Sequence, residues 1–285
     1  MQPDEIETIV KVFVSLGVRK IRLTGGEPLA RPEFRDILER IAAFPVAVKI
    51  TTNGTLLHRQ LGALKQAGVD TLNISLDTLS EKKYFAMTKS DRFSQTMANI
   101  RKALDAGFGI KINMVVMKGV NDQEISAFVD WAARDAIEVR FIEYMPFTGN
   151  RWTGNQVVSR QEILDSIGQR YRVTALANEP HATSTSYAIL GTSANFAIIS
   201  TMSAPCCAGC NRMRLTADGK MKNCLFSKEE TDLLSALRAG LPIEPLIREN
   251  VSQKAPGLGG QFGGSSFAEL RAEDLENRSM ISIGG

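Results

Sequence analysis

Between residue 3 and about residue 145 the chain alternates helix-patterned stretches with short β-branched runs, and this alternation restricts the fold more than any other feature of the sequence. The runs are Lys20–Thr24 (KIRLT), Ala47–Thr51 (AVKIT), Thr71–Leu76 (TLNISL), Ile110–Val116 (IKINMVV) and Glu138–Tyr144 (EVRFIEY). Helical periodicity covers roughly 4–16, 32–43, 56–67, 94–106 and 122–135, and Gly17, Gly68 and Gly107 stand where a helix closes in a left-handed residue. Strands joined through a helix run parallel, because the crossover brings the chain back to the end of the sheet it left. The expected fold is α/β, a partial TIM-type βα barrel. The pattern opens on a helix with no strand before it, so the barrel is expected to lack its first strand.

In barrels of this kind the loops after the C-terminal ends of the strands carry the chemistry. Here those loops are Gly25-Gly26-Glu27-Pro28, Asn53-Gly54-Thr55, Asp77-Thr78, Lys118-Gly119-Val120-Asn121-Asp122 and Met145-Pro146. Beyond Met145 the pattern loosens to a helix near 159–168, short strands near 171–176, 185–190 and 196–200, and a hairpin over Arg212–Asn223 turning at Asp218-Gly219. The chain is therefore expected to divide into a barrel, 1–146, and a smaller α+β region, 147–285. Within the latter, Ala255–Ser266 is glycine-rich and expected to be flexible, ahead of a tail ending in Gly284-Gly285.

At 285 residues and 44% hydrophobic the chain is large and apolar enough to bury such a core, yet no apolar run reaches bilayer-spanning length. The first ten residues carry Asp4, Glu5 and Glu7 and no secretory pattern, so a cytoplasmic protein is expected. A net charge of +3 is too small for a nucleic-acid footprint and leaves small anions as the natural ligands.

All four cysteines, Cys206, Cys207, Cys210 and Cys224, fall in one stretch, which suits metal ligation better than a disulfide framework. A C-x2-C knuckle at Cys207 and Cys210 followed by a hairpin return to Cys224 brings three sulfurs to one point. Three thiolates suit an iron–sulfur cluster with one open iron. Zinc closed by Cys206 and inert buried thiols are the alternatives. Cys206 adjoins Cys207, and adjacent residues rarely reach one metal, so it is expected to be a small core residue.

Gly25-Gly26-Glu27-Pro28 follows a strand, where its glycines allow close approach of a ligand and Glu27 offers a carboxylate to a cation; an ordinary turn is the simpler reading. Arg22, Lys49, Lys111 and Arg140 lie in strands, from which alternation can direct basic heads into the barrel toward phosphates, or else outward, as for Lys49. Arg212 and Arg214 lie two apart beyond the second cysteine of the knuckle and share a strand face, suited to clamping an anion or to the surface. His58 and His181 have no sequence partners that suggest catalysis and are read as structural or exposed.

Together the runs Gly17–Pro28 (GVRKIRLTGGEP), Thr51–Gly54 (TTNG), Asn73–Asp77 (NISLD), Lys111–Val116 (KINMVV), Arg140–Met145 (RFIEYM) and Cys207–Phe226 (CAGCNRMRLTADGKMKNCLF), with the terminal Gly284-Gly285, resemble the radical-SAM GTP 3′,8-cyclase family of molybdenum-cofactor synthesis. The resemblance covers nearly the whole chain. It implies that Gly26, Ser75 and Met145 line a site for S-adenosylmethionine and that Arg22, Thr51 and Lys111 contact GTP. It also implies that Cys207, Cys210 and Cys224 hold a 4Fe-4S cluster whose open iron meets the guanine, beside Arg212 and Arg214. The two terminal glycines would form a tail reaching the active site. The implied reaction is reductive cleavage of S-adenosylmethionine, hydrogen abstraction from C3′ of the ribose and attack of C3′ on C8 of the guanine. Its product would pass to a cyclic pyranopterin monophosphate synthase.

Members of that family begin with a strand and a C-x3-C-x2-C loop for another 4Fe-4S cluster, and every cysteine of this chain belongs to the later block. The chain is therefore expected to be an N-terminally truncated member that does not cleave S-adenosylmethionine by itself. A non-catalytic GTP-binding or regulatory homologue and a structural-zinc barrel enzyme are the alternative readings. A strand edge left open would favour a homodimer.

Overall fold

Period-two alternation along the barrel strands sorts their side chains between two faces, and that sorting fixes the architecture seen in the computed structural model. The structure describes all residues except Glu179, Cys206, Ala208, 262–266, Ala268, Glu269, Ala272, Asp274, Gly284 and Gly285. Its helices are α1 (Pro3–Ser15), α2 (Phe34–Ala42), α3 (Leu61–Gln66), α4 (Glu81–Thr88), α5 (Phe93–Asp105), α6 (Ile125–Asp135), α7 (Arg160–Gly168), α8 (Leu233–Arg238) and α9 (Glu244–Ser252). Strands β1 (Lys20–Leu23), β2 (Ala47–Thr52), β3 (Thr71–Ser75), β4 (Gly109–Val116) and β5 (Glu138–Glu143) pair in sequence order, all parallel. They continue into β8 (Asn195–Ile199), β7 (Thr185–Ile189) and β6 (Val173–Ala175), giving one eight-stranded sheet with β1 and β6 at its edges.

One face carries Ile50, Leu72, Ile74, Ile110, Ile112, Met114, Val139, Phe141, Phe196 and Ile198, buried in a single core that also takes Ile37, Leu38 and Ile41 of α2, Ile100 of α5 and Phe128 of α6. The other face carries Arg22 opposite Lys49, Thr51 opposite Asn73, Asn73 opposite Lys111, and Lys111 opposite Glu138. No described helix is long and apolar enough to cross a membrane.

The strand boundaries differ from expectation by a residue or two, for local reasons. Thr24, Leu76 and Tyr144 fall outside strands. At Tyr144 the loop takes over the backbone, since Trp152 Nε1 donates to its carbonyl at 2.8 Å. The stretch 56–67 splits into a 3-10 turn, Leu57–Arg59, and α3 at Gln60, whose φ of −123° is not helical. Helix α4 was not expected; its N-cap Ser80 accepts from Lys83 N, but it buries only Tyr84, so its apolar period is weak. Strand β8 lies parallel to β5, pairing Val139 with Phe196 and Phe141 with Ile198, so the expected division at residue 146 does not coincide with an edge of the sheet.

The hairpin appears as β9 (Arg214–Leu215) and β10 (Lys220–Lys222), joined by β11 (Thr231–Asp232) in a second sheet of order β11-β10-β9. Helices α8 and α9, also unexpected, pack Leu233, Ile243 and Ile247 with Met221 against Ile9 of α1. Arg238 pairs with Glu5 at 2.7 Å on the rim of this contact.

Candidate functional site

At the C-terminal end of β1, Gly25 adopts a φ of +132°, which a side chain would disfavour, and turns the chain into the Glu27-Pro28 corner. The carboxylate of Glu27, for which an ordinary turn is the simpler reading, is engaged within the protein. It accepts from Thr52 Oγ1 at 2.6 Å, Asn53 N at 2.7 Å and Leu29 N at 3.1 Å, tying the end of β1 to the end of β2. Gly26, Ser75 and Met145 stand after or at the tips of β1, β3 and β5, along one rim. A β-carbon on Gly26 would lie 3.9 Å from Ile281 in the helical turn Met280–Ile283, so the C-terminal segment reaches the glycine loop. Ile283 is buried with Phe147, Phe226 and Leu258, and Met145, Cys207 and Cys224 pack against that group. Gly284 and Gly285 lie outside the described residues.

Inside the barrel Arg22 donates to Thr51 Oγ1 at 3.2 Å, and Asn73, oriented to satisfy its neighbours, accepts from Arg22 at 3.1 Å and Arg140 at 3.2 Å. Lys111 lies on the same face but is paired with Glu138 at 2.7 Å, and Glu138 also holds Arg140 at 2.6 Å. Lys49 shares the face as well and pairs with Asp70. Burial, with the nearby charges of Arg140 and Arg212, lowers Arg22 to about 10. Burial and Arg212 do the same to Arg214, also to about 10. These guanidinium groups stay protonated at neutral pH while crowding one another, an arrangement that an anion would relieve.

Cys207, Cys210 and Cys224 are free thiols, each half-buried. A turn closed by Cys210 N donating to the Cys207 carbonyl at 3.1 Å forms the knuckle. Burial pushes the Cys210 thiol up, but hydrogen bonds and charge from Arg212, with Lys254 beside it, hold it below the ordinary thiol range. Lys254 Nζ lies 3.7 Å from Cys210 Sγ and Leu258 N lies 3.3 Å from Cys207 Sγ. Both the Cys210 and Cys224 sulfurs act on Arg214, which places these two thiols in one cationic neighbourhood, and Cys207 packs with Cys224 against the same apolar group. Thiolate-favouring surroundings and N–H groups aimed at sulfur suit an iron–sulfur cluster. No group of three or more His, Cys, Asp or Glu side chains among the described residues is arranged to hold a metal ion as it stands. Cys206 lies outside the described residues. His58 is exposed in its turn, and His181 Nδ1 lies 2.7 Å from the Gly209 carbonyl.

Sequence reading missed Asn73, which joins two arginines, and Glu138, which neutralises Lys111; strand parity places both inward, but only the register shows whom they meet. It missed Lys254, which lies 44 residues from Cys210.

A partial parallel barrel with a polar interior, a glycine loop after its first visible strand and a cysteine-bearing hairpin defines the radical-SAM class. Residues 1–132 match the model of the Radical SAM superfamily and residues 137–259 that of Molybdenum Cofactor Synthesis C. The Arabidopsis thaliana protein named GTP 3′,8-cyclase, mitochondrial, is 38% identical over 292 residues, spanning 100% of this chain and 73% of that one. The chain belongs to the GTP 3′,8-cyclase family. Mouse Molybdenum cofactor biosynthesis protein 1 is 41% identical over 288 residues, 99% of this chain but 44% of the mouse protein, so the chain spans less than half the length of that relative. Streptococcus suis SuiB, solved bound to S-adenosylmethionine, has the same fold with a TM-score of 0.60 and 18% identity, over 99% of this chain and 70% of that one.

Proposed function

We propose that this chain forms the substrate- and cofactor-holding part of a GTP 3′,8-cyclase, cyclising GTP to (8S)-3′,8-cyclo-7,8-dihydroguanosine 5′-triphosphate in the first step of molybdenum-cofactor synthesis. The observation that carries this is the gathering of Arg22, Arg140, Arg212 and Arg214 beside the Cys210 and Cys224 thiols, a site that combines cationic groups with sulfur. Arg22 and Thr51 would take the triphosphate, with Lys111 joining when it leaves Glu138. Arg212 and Arg214 would flank the guanine where Cys207, Cys210 and Cys224 hold a 4Fe-4S cluster, which supplies an open iron for the base. Gly26, Ser75 and Met145 would seat S-adenosylmethionine on the rim, beneath the C-terminal segment that carries Gly284 and Gly285. Fixing ribose and base in one pose is the protein's share of such a reaction.

The thiolates for a S-adenosylmethionine-cleaving cluster are not among these residues, whose four cysteines all lie between 206 and 224. These 285 residues would therefore supply the binding part of the reaction, and a GTP-binding homologue without catalysis is the second reading. Hand-off of product to a cyclic pyranopterin monophosphate synthase accompanies the first reading. Homodimer formation is supported by the position of β1 at an open sheet edge.

Equilibrium binding of GTP tests the shared part. Arg22→Ala and Arg212→Ala should each weaken affinity by roughly 1–3 kcal/mol, the scale of a hydrogen bond to a charged group. Affinity unchanged in both variants would sink the proposed triphosphate and guanine contacts.

A further inference from the structure

The segment following α9 has no part in the barrel, yet it reaches the thiols from outside the cysteine loop. Lys254 extends its ammonium to Cys210 Sγ at 3.7 Å and to the Arg212 carbonyl at 2.9 Å. Four residues on, Leu258 adopts a left-handed φ of +49°, uncommon for a branched side chain, and in that conformation its N–H points at Cys207 Sγ at 3.3 Å. The Leu258 side chain is buried against Phe226 and Phe147, which fixes the turn from which the N–H projects. Two donors from one short strap thus serve two different sulfurs of the same C-x2-C knuckle. The strap is set on α9, whose Asn250 is bonded into the hairpin through Thr231 Oγ1 at 2.8 Å and through the carbonyl it offers to Asn223.

We infer that Lys254 and the Leu258 N–H form a sulfur-capping strap, with Lys254 a positioning residue that sets the reduction potential of the cluster held by Cys207, Cys210 and Cys224. The inference rests on the proposed cluster assignment and adds to it a group outside the ligand set. A donor to a ligating sulfur draws electron density from it, and a positive charge beside it favours the form of the cluster with one more electron; both effects raise the potential. Lys254 supplies the donor and the charge together. Its second bond, to the Arg212 carbonyl, holds the chain beyond Cys210 so that the sulfur stays under the ammonium.

The test is a redox titration of the anaerobically reconstituted protein, followed by absorbance and electron paramagnetic resonance, alongside iron and sulfide content. Lys254→Met keeps the stem and removes donor and charge; it should hold as much iron as the unaltered protein and show a more negative midpoint. Lys254→Arg should restore the midpoint most of the way, which a merely structural role for the stem would not require. Should Lys254→Met fail to retain the cluster, Lys254→Gln, which keeps an N–H without the charge, takes its place and should fall between the two. A midpoint identical to that of the unaltered protein in a fully loaded Met or Gln variant overturns the inference alone. Absence of any iron–sulfur spectrum in the unaltered protein overturns the cluster assignment, and the inference with it.

Discussion

Two carboxylates at the tips of barrel strands show how little a residue's type says about its task. Glu143, fully buried at the end of β5, accepts from Arg160 N at 2.9 Å, Met202 N at 2.7 Å, Ser203 N at 2.8 Å and Ser203 Oγ, anchoring α7 and the loop after β8. Removing it strands several donors, so Glu143→Ala should lower unfolding free energy by about 3 kcal/mol in chemical denaturation. Asp77, just past β3, accepts from Val115 N at 2.8 Å, and burial pushes it up to about 6. Its folded-state value lies above that of an unfolded aspartate, so its contribution to stability is full at acid pH and declines as pH rises from about 4 through about 6. Asp77→Asn should accordingly be more stable than the unaltered protein by about 2–3 kcal/mol at pH 8, with the gap vanishing below pH 4. A gap that stays constant with pH in parallel melts would refute the assignment.

At the scale of elements, the turn between β9 and β10 is the most tightly specified. Gly219 has a φ of +81°, its carbonyl accepts from Leu233 N and Leu234 N at 3.1 Å each, and a β-carbon on it would lie 2.3 Å from Leu234 Cβ. Gly219→Ala should cost about 3 kcal/mol from strained backbone and overpacking together, measured as a drop in denaturation midpoint. The Asp218-Gly219 pair announced this turn in the sequence. The five barrel strands were equally legible, because Ile110, Ile112 and Met114 alternate with Lys111 and Asn113 in a pattern only a strand satisfies. Helices α4, α8 and α9 were not, since short helices with one to three buried residues leave no period to read. Of the site, strand alternation made legible that Arg22, Thr51 and Lys111 share one face, and the C-x2-C spacing that Cys207 and Cys210 form a turn. The engagement of Glu27 with Thr52 and of Lys111 with Glu138 was hidden, because pairing partners on neighbouring strands are set by register, which no motif records.

At the scale of the whole molecule, the proposed division between binding and radical generation is open to a direct test. A polypeptide of these 285 residues, incubated with dithionite, S-adenosylmethionine and GTP, should release no 5′-deoxyadenosine above a control without protein. The same polypeptide extended by a strand and a C-x3-C-x2-C loop should release it and form the cyclised nucleotide; release by the shorter form would defeat the argument from missing thiolates. Cyclised nucleotide absent from the extended form would favour the non-catalytic reading.

The packing of α1 against the hairpin and α9 has a bearing on synthesis. Ile9 is among the earliest of these residues to leave the ribosome, yet the side chains that cover it, Met221, Leu233, Ile243 and Ile247, are made more than two hundred residues later. Through most of translation the barrel strands can pair while one flank of α1 remains bare. A chain halted before residue 221 would carry that apolar flank uncovered, a mark by which an unfinished copy differs from a finished one.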